Sequence, residues 1–495
     1  MLDIKSVYEL QSKYGVADGS FRDDEITLDE YVTQCRLFIT ANLPAEYLTG
    51  GWDDEKKSSI QRAIVSDFVS RHKVKVEGYV NEAGVLNTEK LLDDLLDIIS
   101  GVYIIKEPLN DEEVDEIQIN DKNTIFVVRK GVTVPFVDRF GRVLKFSSND
   151  EIHTLINKLI DDGTGNIPQF TEGMPLLNSK TAKHQYRVNA VHYSANTMDK
   201  PPLNFPITTV VIRKFKEDTL ELSDLIRNGA CDEKMGRLID KLGRADIKLF
   251  CVGPTSSGKT TLLRIIASRI PFRKRIIMIQ NPTEISFFER DAYGRNKRNV
   301  VHWEVHESKD GNEKNSASMS KLISNSLRAT PDVILIGEMR EPEEFFQGSR
   351  ALNMGHKLLS SYHSESVEDG VERFAGELSS NGGMTRTEAL RSICKSLDII
   401  IAQHKFDDGT RRIMEIGEVL GVNKDGDPNI NILFKFQMNG KVEELGNNMR
   451  KVLGDFVQVN PISDKLRDKL YKAGYTYGEI EEFIEINKDE EVKGA

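Results

Sequence analysis

The chain has 495 residues, 29% of them charged, and 67 Lys and Arg against 78 Asp and Glu give a formal net charge of −11. At about 150 residues per domain the length suggests roughly three domains. The charged share beside 39% hydrophobic residues excludes a wholly disordered or fibrous chain. The acidic balance also argues against a broad basic surface for duplex DNA, so nucleic acid is not an expected partner. No apolar run approaches the ~18 residues that span a bilayer, and residues 1–30 carry acids throughout, without a signal-peptide core. Cys35, Cys231, Cys251 and Cys394 form no CxxC pair. That usage excludes a zinc ribbon and suits a reducing cytoplasm.

Residues 1–110 read as a helical N-terminal extension. Ile60, Ile64, Val65 and Phe68 give one apolar face over Asp54 to Arg71, and Leu91, Leu92, Leu95, Leu96 and Ile99 give another over Thr88 to Ser100. Residues 111–216 read as an α+β domain. Ile117 and Ile119 alternate with polar neighbours, turns at 120–123 and 130–131 separate two further strands, and Ser148 with Glu151 forms a capping box. Strands over Tyr186–His192 and Thr208–Lys214 complete it. From 217 to 440 short apolar strands alternate with helices: Ile247–Val252, helix Lys259–Ser268, Arg275–Gln280, helix Ser318–Leu327, Val333–Ile336, helix Pro342–Asn353. That rhythm implies an α/β domain with a parallel sheet covered on both faces. Residues 441–495 read as a polar helical C-terminal tail, with amphipathic helices near Asp464–Tyr471 and Tyr477–Ile486.

Gly253-Pro254-Thr255-Ser256-Ser257-Gly258-Lys259-Thr260 fits G-x-x-x-x-G-K-[ST]. The apolar strand Leu249–Val252 precedes it and a helical run follows, which is the setting the motif requires. Glycines let the backbone wrap so that N–H groups point at phosphate oxygens, and the helix N-terminus adds positive charge. Lys259 is assigned to the β- and γ-phosphates of ATP, the Thr260 hydroxyl to Mg²⁺, and Thr261 closes the nucleotide-binding run. A second strand, Val333–Ile336, ends at Gly337-Glu338. Glu338 is therefore a candidate to hold Mg²⁺ or to orient the attacking water.

The order of these motifs resembles the secretion and pilus-assembly ATPases of type II and type IV systems, over about Asp115 to Val422. The resemblance implies a RecA-like P-loop ATPase domain preceded by an α+β domain. The family's acidic box, I-E-D-P-x-E, reads Ile279-Gln280-Asn281-Pro282-Thr283-Glu284 here, so two acids are amides. The last acid, the family's general base, is Glu284. The family's G-H-x₆-H box reads Gly355-His356 to His363, and by resemblance His363 lies near the γ-phosphate. Arg187-Val188-Asn189-Ala190, Ile212-Arg213-Lys214-Phe215 and Asp408-Gly409-Thr410-Arg411-Arg412 are similar to segments of the CpaF-like branch, which serves Flp/Tad pilus assembly.

That branch implies a homo-hexameric ring in the cytoplasm, bound to the inner face of the cell membrane through an inner-membrane platform protein. It leaves open a conjugative or effector-transfer role, and a nucleotide-binding scaffold with little turnover. No arginine lies inside the phosphate loop to neutralise transition-state charge. Arg187, Arg213, Arg340 and Arg373 are the candidates. His302 and His306 fall on a half-buried strand and are read as structural, and Arg290–Arg298 as a solvated loop.

Overall fold

The computed structural model describes residues 26–42, 54–81, 84–99, 103–129, 131–138, 141, 143–146, 148–160, 170–181, 186–195, 207–214, 220–281, 283–287, 289–306, 316–381, 383–446 and 449–485. The chain separates into two compact units, Met1–Lys216 and Glu217–Ala495.

In the first unit three helices, α1 (Leu28–Asn42), α2 (Asp54–Arg71) and α3 (Thr88–Ile99), share an apolar cluster built on Tyr31, Phe68, Leu91 and Leu95. Tyr31 keeps its hydroxyl satisfied by donating to the His72 carbonyl at 2.8 Å. After α4 (Tyr103–Asn110) comes an antiparallel sheet of six strands: β1 (Val114–Asp121), β2 (Thr124–Arg129), β3 (Val132–Pro135), β4 (Leu176–Lys180), β5 (Tyr186–Val191) and β6 (Thr209–Lys214), in the order β3-β2-β1-β6-β5-β4. Helix α5 (Asn149–Ile160) buries Ile152, Leu155, Ile156 and Leu159 against Ile117, Ile119, Val188 and Ile212 of the sheet. Ser148 accepts the Glu151 N–H at 3.3 Å, as an N-cap should.

The second unit opens with α6 (Leu222–Arg227) and α7 (Glu233–Arg244), then runs β7 (Leu249–Val252), α8 (Lys259–Ser268), β8 (Ile276–Gln280), β9 (Val300–Glu304), α9 (Met319–Ser326), β10 (Val333–Ile336), α10 (Pro342–Asn353), β11 (Lys357–Tyr362), α11 (Val367–Ser380), α12 (Arg386–Ser396) and β12 (Ile399–Lys405). It ends with β13 (Arg411–Val422), β14 (Pro428–Gly446), β15 (Met449–Gln458), α13 (Asp464–Lys472) and α14 (Tyr477–Ile484). The nine strands form one sheet, β15-β14-β13-β12-β7-β11-β10-β8-β9. From β12 to β9 neighbours are parallel; β13, β14 and β15 are antiparallel.

Helices cover both faces, so the strands bury side chains in both directions. Along β7, Leu249 and Cys251 enter one core with Leu238 of α7 and Leu262 and Ile266 of α8. Phe250 and Val252 enter the other with Phe345 of α10 and Phe374 of α11. Phe250, Phe345, Tyr362 and Phe374 pack together in that second core, Phe250 stacked on Phe374 at 5.5 Å and Phe345 edge-to-face with Phe374 at 5.0 Å.

Residues 441–495 depart from the helical tail expected of them. Pro428–Gly446 and Met449–Gln458 pair as a two-stranded ribbon, and among the described residues beyond it α13 and α14 are the helices. Past Met438 the first strand is exposed on both faces, while residues 451–454 of the second are half-buried, and neither carries an apolar alternation. Cross-strand pairs hold the ribbon instead, Val442 opposite Val452, and Glu443 and Glu444 opposite Lys451 and Arg450. The helices beyond pack into the core through Leu466, Leu470, Ile480 and Phe483. Buried Asp398 draws Lys465 and Lys469 of α13 onto the end of α12 at 3.2 and 2.5 Å.

Candidate functional site

Strand β7 delivers the phosphate loop at the carboxyl end of the parallel strands. Gly253 turns the chain out of β7 at φ +157°, and a Cβ there would sit 2.3 Å from the Gln403 carbonyl and 2.6 Å from Ser257 Oγ. Only glycine fits that contact. Gly258 has φ +96° and caps α8, while Ser256 is held at φ +62° between them. Ser257 N–H donates to the Pro254 carbonyl at 3.3 Å. The loop thus winds tightly into the N-terminus of α8, with Lys259, Thr260 and Thr261 as the first turn.

Lys259 is only 7% exposed. Its ammonium donates to the carbonyls of Gly253 at 3.0 Å and Pro254 at 2.9 Å, and reaches His363 Nδ1 at 3.4 Å. His363 follows β11, which pairs with β7, and Glu338 follows β10, which pairs with β11. His363 Nε2 lies 3.2 Å from Glu338 Oε1, and Arg340 holds the other carboxylate oxygen through Nε at 2.8 Å and Nη2 at 2.5 Å. Lys259, His363, Glu338 and Arg340 therefore form one continuous line.

Burial, reinforced by the Lys259 charge, pushes the His363 imidazole below its usual value, and Glu338 opposes that shift. The ring is accordingly neutral at pH 7. Nδ1 lies 3.4 Å from the Lys259 ammonium and 3.3 Å from the Gly253 carbonyl, so the tautomer with Nε2–H toward Glu338 lets Nδ1 accept from Lys259, while the other lets Nδ1–H donate to Gly253.

Glu284 sits beyond β8, which pairs in parallel with β10, the strand that carries Glu338. Its backbone is held by Gln280, which is 2% exposed. Gln280 Oε1 accepts the N–H of Glu284 at 3.0 Å and of Ile285 at 2.7 Å, and its Nε2 donates to the Ile285 carbonyl at 2.8 Å. The amide in the first acidic position is thus a clamp that needs both a donor and an acceptor. Thr283 is tied to the end of β9 by Glu304, which accepts from its hydroxyl at 2.6 Å.

Arg373 contacts Glu377 at 3.7 Å and adds a weaker positive field at His363. Arg187 and Arg213 belong to the first unit, directly opposite one another on β5 and β6, where Arg187 Nε donates to Asn178 at 3.3 Å.

Two further residues touch the loop. Arg411 at the start of β13 donates from Nε to the Ser256 carbonyl at 3.0 Å, and its Cδ lies 3.2 Å from where a Gly258 Cβ would stand. Gln403, near the end of β12, packs against Gly253 and reaches within 3.9 Å of that Gly258 position. The run Asp408–Arg412 was visible in the sequence, but its reach to the loop depends on β12 lying beside β7.

A family model described as "Type II/IV secretion system protein" matches residues 108–424, more than half of the chain. The chain belongs to that family. Among relatives of this secretion family, an uncharacterized protein of Methanocaldococcus jannaschii is 25% identical over 277 residues, 54% of this chain and 34% of that protein. The type IV secretion system protein VirB11 of Bartonella quintana is 29% identical over 171 residues, 34% of this chain and 45% of that one. The twitching motility protein of Neisseria gonorrhoeae is 25% identical over 272 residues, 54% of this chain and 63% of that one. The matched region thus spans about one to two thirds of the length of these relatives.

Proposed function

We propose that this secretion-family chain is a Mg²⁺-dependent ATPase of RecA-like type. The observation that carries the reading is the line Lys259–His363–Glu338 set behind a strand–loop–helix phosphate loop. Phosphoryl transfer demands positioning and charge neutralisation more than covalent chemistry. The N–H groups at the start of α8 cradle the phosphates, and Lys259 exchanges its loop carbonyls for β- and γ-phosphate oxygens. Glu284 takes the proton of the attacking water, Glu338 orients that water, and neutral His363 links Lys259 to Glu338. The hard oxygen donors of Thr260 and Glu338 suit Mg²⁺, which supplies charge neutralisation at the phosphates. Arg340 occupies one Glu338 oxygen, so Glu338 would hold Mg²⁺ through its remaining oxygen, which faces His363.

We further assign the chain to the CpaF-like, Flp/Tad pilus-assembly branch, acting as a cytoplasmic six-subunit ring beneath an inner-membrane platform protein. Transfer through a type IV secretion channel uses the same chemistry, in keeping with the VirB11 relative. Arg187 or Arg213 then acts on a nucleotide from its own or a neighbouring subunit. The acidic box favours one alternative, a nucleotide-binding scaffold, because amides at Gln280 and Asn281 leave it a single carboxylate, Glu284. Sizing chromatography with and without a non-hydrolysable ATP analogue, run beside a turnover assay at rising protein concentration, tests the ring. Self-association that strengthens with the analogue, and turnover rising faster than linearly, are expected. Full specific activity from a monomer overturns the ring.

A further inference from the structure

Two buried polar side chains at the phosphate loop each leave an atom without a partner. Among the described residues neither Ser257 Oγ nor Gln403 Oε1 makes a hydrogen bond, and the two residues are 0% and 2% exposed. Buried polar atoms are nearly always paired, since leaving one unmade forfeits its hydration with nothing in return. These two are chemically matched, a hydroxyl that donates and an amide oxygen that accepts. Their residues are neighbours at the loop: Ser257 Oγ and the Gln403 main-chain carbonyl lie 2.6 and 2.3 Å from where a Gly253 Cβ would stand, and Gln403 Nε2 lies 3.9 Å from where a Gly258 Cβ would stand.

The loop has a built-in reason to change shape. Lys259 is tied to the Gly253 and Pro254 carbonyls at 3.0 and 2.9 Å, the same stretch that packs on Gln403. A phosphate that takes the ammonium releases those carbonyls, and the backbone from 253 to 257 is then free to turn. Gln403 in turn pairs with Ile413, two residues along β13 from Arg411, whose guanidinium holds the Ser256 carbonyl.

We propose that Gln403 is a positioning residue for the phosphate loop: when the loop closes on nucleotide, Ser257 donates its hydroxyl proton to Gln403 Oε1. This bond locks the closed loop to the β12–β13 pair and so to Arg411. The inference rests on the ATP reading and adds to it an interaction between two side chains that touch no phosphate.

Ser257→Ala, Gln403→Met and the double variant test it, with affinity for a non-hydrolysable ATP analogue and the unliganded melting temperature measured on each. Each single variant is expected to bind about tenfold more weakly, while its unliganded melting temperature holds or rises because an unpaired polar atom has gone. The double variant is expected to bind no worse than either single one. Should Gln403→Met fail to fold, Ser257→Ala alone carries the test through its weaker binding at an unreduced melting temperature. Additive losses in the double variant, undiminished affinity in the single ones, or a fall in unliganded stability overturn the inference. Wild-type protein that binds no nucleotide overturns the ATP reading along with it, whereas additive losses from a binding wild type overturn this inference alone.

Discussion

His363 Nε2 stands 3.2 Å from Glu338 Oε1, the two residues lying one and two positions past the ends of neighbouring parallel strands. Strand register contributes to that distance: Ile336, the last residue of β10, pairs with Ser360, two residues before the end of β11, which brings Glu338 level with Tyr362 and next to His363. The neighbouring strand β7 places Lys259, at the start of α8, within 3.4 Å of Nδ1 on the other side of the imidazole.

The charge state of that ring is testable through pH. Burial and the Lys259 ammonium lower the His363 pKa below its ordinary 6.5, so the neutral ring persists further into acid than a free imidazole would. Turnover that depends on neutral His363 is expected to be flat around neutrality and to fall only below that value. A pH–rate profile of wild type beside His363→Asn checks this. The acid limb should be missing from the residual activity of the variant. An acid limb centred above 6.5 in the wild type contradicts the assignment.

Gln280→Glu replaces an amide that donates to the Ile285 carbonyl by a carboxylate that cannot. The change also buries a charge against a carbonyl oxygen, at a position where the family pattern has an acid. A loss of about 1–3 kcal/mol of stability is expected from the broken bond alone. Glu284 loses its fixed backbone with it, so turnover should fall as well. Urea denaturation and phosphate release on the same preparation measure both. A gain in turnover would mean that the amide restrains catalysis and does not organise it.

How much of this could be read beforehand follows from where each signal lives. Strand β10 and helices α8 and α10 were legible to the residue, because buried strands make continuous apolar runs and helices carry end signals. The phosphate loop declared itself by local spacing. Helix α7 went unread, although Met235, Leu238, Ile239 and Leu242 line one face, because its charged residues dominate the segment. The outer half of the β14–β15 ribbon has no apolar period at all and rests on pairs between strands. Gln403 and Arg411 were out of reach for a different reason. Each touches the loop only because β12 pairs with β7, a long-range adjacency that no local pattern encodes. Gln280 looked like a lost acid until its three hydrogen bonds gave the amide a task.

Acid should loosen the first unit by a separate route. His153 on α5 and His192 after β5 lie 4.7 Å apart between ring centroids, against Phe170 and Tyr193. His153 Nε2 meets the Thr208 hydroxyl at 2.9 Å, and His192 Nδ1 accepts the Ser194 N–H at 3.1 Å. Burial, then the neighbouring imidazole, lowers the His153 pKa, while Asp150 opposes the shift. The unfolded chain therefore binds the proton more readily than the folded one. Stability is complete above the unfolded value of 6.5 and drains away as pH falls from there toward the lower folded value. Protection factors of the α5 and β5 amides, which divide out the intrinsic slowing of exchange in acid, are expected to fall over that range in wild type and to fall less in His153→Phe. Equal acid sensitivity in both would remove this pair as its cause.

The measurement that bears most directly on the whole account is steady-state phosphate release with ATP and Mg²⁺, by wild type, Lys259→Ala and Glu338→Gln, each checked for fold by circular dichroism. Wild type is expected to turn over. Lys259→Ala is expected to lose nucleotide binding or turnover at unchanged fold, and Glu338→Gln to keep ATP bound while release drops by about 10²-fold or more. Wild-type phosphate release from a folded Lys259→Ala protein would contradict the account at its centre, because hydrolysis would then not belong to this loop.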